Sequence, residues 1–499
     1  MAFYEMDPAL EESLLERTNR VILILEIQDD AGEMITLPEE ALQEGNFHSY
    51  KDFLGGYCVT GSVSFLDEEE FLSGLSGQDR QVRILISSGN CGRFLHRFTL
   101  TVDDKGFRRS RTGGITRITA TLEDAPARMK RVGGLKNWEE KQIIIDCVMS
   151  DKEHPQGSLV HLIAARGGLG SEELDCSTVE LPLVYAHISA SPWEELCSLA
   201  TSCSALVEGG LDHKILFSSS VYQRDGLLEE MSPLREDLFY EMTEEEAGDV
   251  YTNSVRLKWN RPERLNPQIL WRYDELPVEF DDSFSPSYPF LPEGDRPIQD
   301  PLVPYEALFE VRENYKSLPV LWADQIQSQE EVLEGLQFEA DGGGTDGLTL
   351  SSYTTESQRA YLNLSCSQAG RLINLSILGQ PIVMRAGTAC FRSDEAEIAL
   401  RGLRILSGRS RFFSDALVTG ADGEDRPHWE DWVLRALSQG IKRRRRYRGR
   451  SEVGLFYMRA GALCSLEDEG SSTLCRVEEL EMNFQKSRGL ETRVTLLEE

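Results

Sequence analysis

The sequence predicts a β-rich α+β chain, with a small α/β segment set between two long strand-dominated regions. Three observations predict it. Short runs rich in Val, Ile, Thr and Phe alternate polar and apolar residues across residues 21–122, and strand-like runs return in residues 305–420 and 479–496. Between these regions, residues 181–222 read as strand, helix, strand. The length, 499 residues with 40% hydrophobic and 27% charged side chains, exceeds one core and implies roughly three soluble domains.

The elements follow in order. Residues 8–18 predict a short acidic helix. Val21–Leu25 and Glu33–Leu37 flank Asp29-Asp-Ala-Gly32, a hairpin signal with Gly where positive φ is needed. Tyr57–Phe65, Gln81–Ile86, Phe94–Val102 and Ile115–Leu122 are strands, and their spacing suggests an antiparallel sandwich or barrel. Lys141–Met149 is apolar and fits either helix or strand. Ser158–Ile163 predicts a short helix with Leu159, Leu162 and Ile163 inward, ended by Gly167-Gly168.

The stretch from Leu181 to Tyr222 has the clearest local grammar. Leu181–Ile188 has strand length. Ser191-Pro-Trp-Glu194 starts a helix, with Ser191 as cap, Pro192 in the first turn and Glu194 spaced for a capping box. Trp193, Leu196, Cys197 and Ala200 then form one buried face, with Trp193 as its structural anchor. Gly209-Gly-Leu-Asp212 turns the chain into a strand from Lys214.

Residues 223–304 form an acidic and Pro-rich connection, with Glu244-Glu-Glu246 as a solvated charge run and Ser283–Phe290 extended. Later strands include Gln337–Glu339, Leu348–Leu350, Leu372–Ile377 and Ile382–Met384. Pro427–Leu437 predicts a helix with Trp429, Trp432, Val433, Ala436 and Leu437 on one face. Glu479–Phe484 and Leu490–Leu496 form a terminal hairpin. The boundaries expected are 1–137 for a first β-domain, 138–222 for an α/β domain, 223–304 for the connection, 305–420 for a second β-rich domain, and 421–499 for a helix plus strands.

The formal net charge is −32, which argues against general nucleic-acid binding and against docking on an anionic membrane. No apolar run approaches the roughly 20 residues of a membrane-spanning helix, and the N-terminus lacks the pattern of a signal peptide. The ten cysteines are scattered without Cys-x-x-Cys, so reduced, buried thiols are expected. Nucleophile-elbow, phosphate-loop and His-Glu-x-x-His motifs do not occur. His161 and His187 read as packed or surface side chains. Asp341 to Gly347 reads as a Gly-rich hairpin, with calcium through Asp341 and Asp346 as the alternative. The local charge anomaly is the basic run Lys442, Arg443, Arg444, Arg445, Arg446, Arg448 and Arg450. It is either a solvated strand pairing with acidic neighbours or a contact with an acidic partner or passing nucleic acid.

Three passages carry a family likeness: Val82-Arg-Ile-Leu-Ile-Ser with Phe98-Thr-Leu-Thr-Val; Ser158-Leu-Val-His-Leu-Ile with Pro192-Trp-Glu-Glu-Leu-Cys and Asp212-His-Lys-Ile-Leu-Phe; and Ala460-Gly-Ala-Leu-Cys-Ser with Cys475-Arg-Val-Glu-Glu-Leu and Gly489-Leu-Glu-Thr-Arg-Val. Their order resembles the baseplate hub, or tail-tip hub, proteins of tailed bacteriophages and related phage-like or gene-transfer particles. The Pro-rich connection and the basic run have no counterpart in that pattern. The resemblance implies two tube-like antiparallel β-barrel domains, an inserted α/β domain and a β C-terminal region. It implies a structural virion protein of the tail tip, made and assembled in the bacterial cytoplasm. That protein would be a homotrimer whose ring joins the tail tube or distal tail protein to tip, spike or fibre proteins and contacts the tape-measure protein. No catalytic residue, cofactor, metal or membrane anchor comes with it, and DNA is only passing cargo. Acidic walls suit such a passage, because phosphate would not stick to them. The competing expectations are a tail-associated glycan hydrolase, which needs two close carboxylates, and a monomeric carbohydrate-binding β-protein.

Overall fold

The computed structural model describes residues 21–499, except 30, 68–79, 89–94, 137–141, 189–190, 211–213, 220–231, 273–277, 281–304, 314–315, 341–347, 367–369, 409–411, 456–457 and 469–470. The expected helix at 8–18, the Ser283–Phe290 stretch and the Asp341–Gly347 loop lie outside the described residues. The chain is a β-rich α+β protein in two compact units, one built from Met1–Lys258 with Ala389–Glu499 and the other from Trp259–Thr388.

The first unit opens with β1 (Val21–Gln28), β2 (Met34–Thr36), β3 (Leu42–Lys51), β4 (Tyr57–Leu66), β5 (Gln81–Ser88), β6 (Leu95–Thr112) and β7 (Ile115–Glu123). Alternation sets their faces: Leu23, Leu25 and Ile27 of β1 and Val82, Ile84 and Ile86 of β5 are all buried. Helix α1 (Ala125–Lys136) follows, capped by Asp124, whose Oδ1 accepts the Ala127 amide at 2.9 Å.

The α/β segment then runs through β8 (Gln142–Ser150), α2 (Leu159–Arg166), β9 (Leu174–Cys176), β10 (Val179–Ile188), α3 (Pro192–Cys203), β11 (Ala205–Gly209) and β12 (Ile215–Ser219). The ambiguous Lys141–Met149 run is strand β8, paired antiparallel with β10. Strand β12 pairs antiparallel with β11 and parallel with β9. In α3, Ser191 Oγ accepts the Glu194 amide at 3.3 Å, and Trp193, Leu196, Cys197 and Ala200 are all buried. In α2 the inward residues are Leu159, Val160, Ile163 and Ala164, while Leu162 is only partly covered. The helix ends as expected at Gly167, with Gly168 at φ +83° and the Leu169 amide bonded back to Ala164 O at 3.1 Å.

After β13 (Ser232–Arg235), β14 (Glu241–Glu246) and β15 (Ser254–Arg264), the chain enters the second unit. That unit holds β16 (Gln268–Arg272), β17 (Val278–Phe280), β18 (Tyr305–Leu308), β19 (Glu310–Glu313), β20 (Lys316–Asp324), α4 (Gln329–Gly335), β21 (Gln337–Ala340), β22 (Leu348–Thr355), β23 (Arg359–Cys366), β24 (Gly370–Asn374) and most of β25 (Ser376–Ser393). Its pairings are antiparallel: β16 and β20 on β25, β19 on β20, β17 and β21 on β24, and β18 and β22 on β23. Its core gathers Leu270, Phe309, Leu362, Leu375 and Ile377.

The chain returns to the first unit through α5 (Glu395–Arg401), β26 (Ile405–Gly408), β27 (Leu417–Thr419), β28 (Asp425–Pro427), α6 (His428–Gly440), β29 (Arg445–Ser451), β30 (Leu463–Asp468), β31 (Ser471–Gln485) and β32 (Gly489–Glu498). The last strands join the N-terminal sheet. Strand β31 pairs with β3, so Phe47 faces Met482, and one 13-stranded sheet runs β14-β29-β32-β31-β3-β4-β7-β6-β5-β1-β2 with β30 and β13 attached. Leu480, Met482, Val494 and Leu496 share one core with Leu25, Phe65 and Ile84. Among the described residues this sheet is an open path from β14 to β2, not a closed barrel. The physical reason is local: β31 and β32 are half-buried strands with an apolar row each, and the N-terminal sheet offers the matching row.

Candidate functional site

The basic run becomes an edge ladder. Arg445–Ser451 forms β29, which pairs with β32 on one side and with β14 on the other. Tyr447, Gly449 and Ser451 point inward, which turns Arg448 and Arg450 outward by the period of two. The acidic run at 244–246 is the partner strand, not a merely solvated stretch. Arg445 meets Glu244 at 2.9 Å, Arg448 meets Glu245 at 2.9 Å, and Arg450 meets Glu241 at 3.3 Å. Arg446 is the covered member, held by Asp249 at 2.9 Å and Glu478 at 2.7 Å, and both hydrogen bonds hold its guanidinium above its usual range. Arg444 donates to Gln439 Oε1 at 2.9 Å, while Lys442 and Arg443 are exposed.

The pattern continues across the sheet. Arg493 reaches Glu491 at 3.0 Å and Glu481 at 3.7 Å, and His48 reaches Glu479 at 2.7 Å. A groove of about 290 Å³ lies on this face, lined by Thr243, Arg448, Arg450, Glu479, Glu481 and Arg493. Exposed pairs of this kind contribute roughly 0–1 kcal/mol each, so the ladder sets register and surface charge more than stability.

Trp193 sits at a different place, a buried joint. Its ring is fully covered, and Nε1 donates to Asp52 Oδ2 at 2.8 Å. Asp52 belongs to the turn between β3 and β4, where its Oδ1 accepts the amides of Leu54 at 2.9 Å and Gly56 at 3.2 Å. Lys130 of α1 reaches the same carboxylate at 3.3 Å. Gly56 is required by contact: a Cβ there would lie 2.3 Å from Trp193 Cζ2. A second buried link is the ion pair of Glu208 on β11 with Arg459, at 3.3 Å, both about 3% exposed. Between these links lies Asp124, whose carboxyl accepts the Val59 amide at 2.8 Å and is pushed up to about 7 by burial.

Helix α6 is amphipathic as expected, but its buried side is turned. His428, Asp431, Trp432 and Val433 are covered, whereas Trp429, Ala436 and Leu437 are only partly so. The shift follows from docking on the end of α3, where Trp432 Nε1 donates to Thr201 O at 2.8 Å and His428 Nε2 donates to Ser202 O at 2.9 Å. His428 Nδ1 accepts the Ser414 amide at 3.3 Å, so both ring nitrogens are used in the neutral form. Burial lowers its pKa to about 4. A lowered folded value for a base means that stability is intact above the unfolded value near 6.5 and is lost as pH falls toward 4. Asp124 acts with the opposite sign in an overlapping window. The difference between wild type and His428→Gln isolates the histidine: it should shrink by up to about 3 kcal/mol between pH 7 and pH 4 in denaturant titrations. A pH-independent difference would show that His428 does not titrate in the fold.

The remaining expected side chains are placed plainly. His161 bonds Ser158 Oγ at 2.8 Å and lies 3.9 Å from Cys176 Sγ. Eight described cysteines are buried free thiols. Among the described residues there is no group of three His, Cys, Asp or Glu able to hold a metal ion, and no helix is long and apolar enough to cross a membrane. Asp52, Lys130, Glu208 and Arg459 were not singled out from sequence. Trp193 and Asp52 are 141 residues apart, so no spacing announces them.

No protein-family model and no curated protein matches the chain. Solved structures similar to it are tail proteins and related assemblies. One is the 43 kDa tail protein of prophage MuSo2 from Shewanella oneidensis, at 9% identity and TM-score 0.44, covering 95% of this chain and 98% of that one. Another is the tail protein from Neisseria meningitidis MC58, at 8% identity and TM-score 0.45, covering 96% and 97%. A third, from E. coli, is described as a component of the type VI secretion system with structural similarity to T4 bacteriophage tail proteins; it shows 9% identity and TM-score 0.38, covering 91% and 73%.

Proposed function

We propose that this chain is a structural hub of a phage or phage-like tail tip, acting by assembly and not by catalysis. Three copies form a ring through tube-like β-domains, join the tail tube to the tip or spike, contact the tape-measure protein and leave a passage for DNA. The observation that supports this reading best is the weave of the first unit: β31 and β32 complete the sheet begun by β1–β7, with the α/β segment inserted between. Such interleaving ties β1–β7 and the last strands into one sheet, which suits a part that transmits load rather than one that opens around a substrate. The sequence resemblance adds the order of domains. The basic run is assigned a secondary role in the same assembly. Lys442 and Arg443 are offered to an acidic neighbouring subunit beside the ladder, while Arg444, Arg445, Arg446, Arg448 and Arg450 complete the in-chain network. Omitting the chain from the particle-producing operon tests the reading. Tail tubes should then lack a tip and fail to deliver DNA. Complete, delivery-competent particles without the chain would refute it.

A further inference from the structure

We propose that Cys464 and Cys475 are a latent cross-strand disulfide, a thiol pair that closes when the chain meets an oxidising medium. The two residues face each other directly in the antiparallel ladder of β30 and β31. Directly opposed residues carry their side chains on the same face of the sheet. Both lie in one core with Leu466, Val477 and Leu480, and both are 0% exposed. Opposed Cα atoms in an antiparallel pair lie about 4.5–5.5 Å apart, inside the span of about 4.4–6.8 Å that a disulfide bridges. Closure therefore keeps the register of the two strands. No other two cysteines face one another in a described ladder. Cys58 is opposed by Tyr50, Cys147 by Leu183 and Cys176 by Phe217, while Cys197 and Cys203 lie on α3.

Burial explains why the pair rests as two thiols. It pushes the Cys475 thiol up to about 12 and the Cys464 thiol further. A protonated, covered thiol does not attack a disulfide, and a reducing cytoplasm would reverse the bond in any case. Reaction waits on a local opening, and the fold offers a short one. The hairpin ends at the exposed Glu467, Asp468, Ser471 and Ser472, and the other neighbour of β30 is the four-residue β13. Fraying from that end uncovers both sulfurs without unfolding the sheet.

The chemistry is thiol–disulfide exchange with a small-molecule disulfide as oxidant. One cysteine loses its proton and attacks a sulfur of the oxidant, which leaves as a thiolate. The second cysteine loses its proton and attacks the mixed disulfide, forming the Cys464–Cys475 bond and expelling the other half of the oxidant. The two protons end on the two released thiols, and two electrons pass from the cysteine pair to the oxidant. The bond closes a loop over residues 465–474 and ties β30 to β31, the strand that joins β3. Such a link removes freedom from the unfolded chain and so favours the folded one. In the assembly proposed above it would harden the hub once outside the cell, but the chemistry stands apart from that reading.

The test uses the purified full chain, folded, with glutathione disulfide. Remaining thiols are then blocked with iodoacetamide under denaturing conditions, and the peptides are mapped by mass spectrometry. The expected product is the cross-linked Cys464–Cys475 peptide, together with a thermal midpoint raised by about 5 °C or more and restored by dithiothreitol. Cys464→Ala and Cys475→Ala should each lose the cross-link and show no rise on oxidation; comparing each variant with and without oxidant cancels any packing defect. A folded wild type in which both cysteines stay alkylatable, or carry glutathione without joining, overturns the proposal. So does a cross-link that forms only after unfolding in urea, because the folded register would not be its cause.

Discussion

Trp193→Ala should lower the stability of the first unit by about 3–5 kcal/mol, because a fully covered indole is removed from a core that cannot collapse around the space. The loss has two parts. One is packing within the core it shares with Leu196 and Leu199 and against the bare backbone of Gly56, which approaches the ring too closely for any side chain. The other is the hydrogen bond to Asp52, a buried carboxylate that would keep Lys130 and two turn amides but lose its indole donor. Trp193→Phe separates them: it retains most of the ring and should cost about 1–3 kcal/mol, the range for an unsatisfied buried partner. Denaturant unfolding followed by circular dichroism reads both variants. A Trp193→Ala protein as stable as wild type, still assembling, would show that the joint between the β3–β4 turn and α3 does not hold the unit together.

Removing Arg459 should be equally severe. Arg459→Met leaves Glu208 charged, buried and without its cation, a change that costs about 3–5 kcal/mol. The Glu208 carboxylate has little room to turn away, since a Cβ on Gly461 would already lie 2.8 Å from Oε2, and that glycine needs its φ of +95°. The double variant Glu208→Leu/Arg459→Met removes both charges and should recover most of the loss, since a buried pair is often no better than apolar side chains of similar size. Strong non-additivity in the double-mutant cycle is thus the expected signature. Additive losses would mean that the two side chains do not sense each other. Asp124, which Arg459 helps to hold ionised, should titrate higher still in the single variant.

Much of the local structure was legible in the sequence, and the reasons are specific. The β1–β2 hairpin was visible because Gly32 marks its turn, at φ +88°. The start of α3 was visible because cap, proline and periodic apolar residues agreed over a few positions. The terminal hairpin was visible because Leu480, Met482, Val494 and Leu496 alternate with polar residues. What stayed hidden was pairing at a distance. Period-two alternation says that β31 buries one face but not that its neighbour is β3, more than 400 residues away, so the order of the sheet cannot be read along a line. The basic run is expected either as a strand pairing with acidic neighbours or as a partner contact, and β14 supplies such neighbours; that the run at 244–246 is the strand concerned is not legible across the 201 residues from Glu244 to Arg445. Helix α6 shows a finer limit. Its apolar stripe was correct for Trp432 and Val433, but a buried histidine bonded at both nitrogens outranked Trp429, and hydropathy does not foresee a satisfied polar side chain.

The proposed hub stands on assembly, and native mass spectrometry of the purified full chain tests that most directly. The account predicts a salt-sensitive species at three times the monomer mass, persisting at low micromolar concentration. A strict monomer across the concentration range would contradict it.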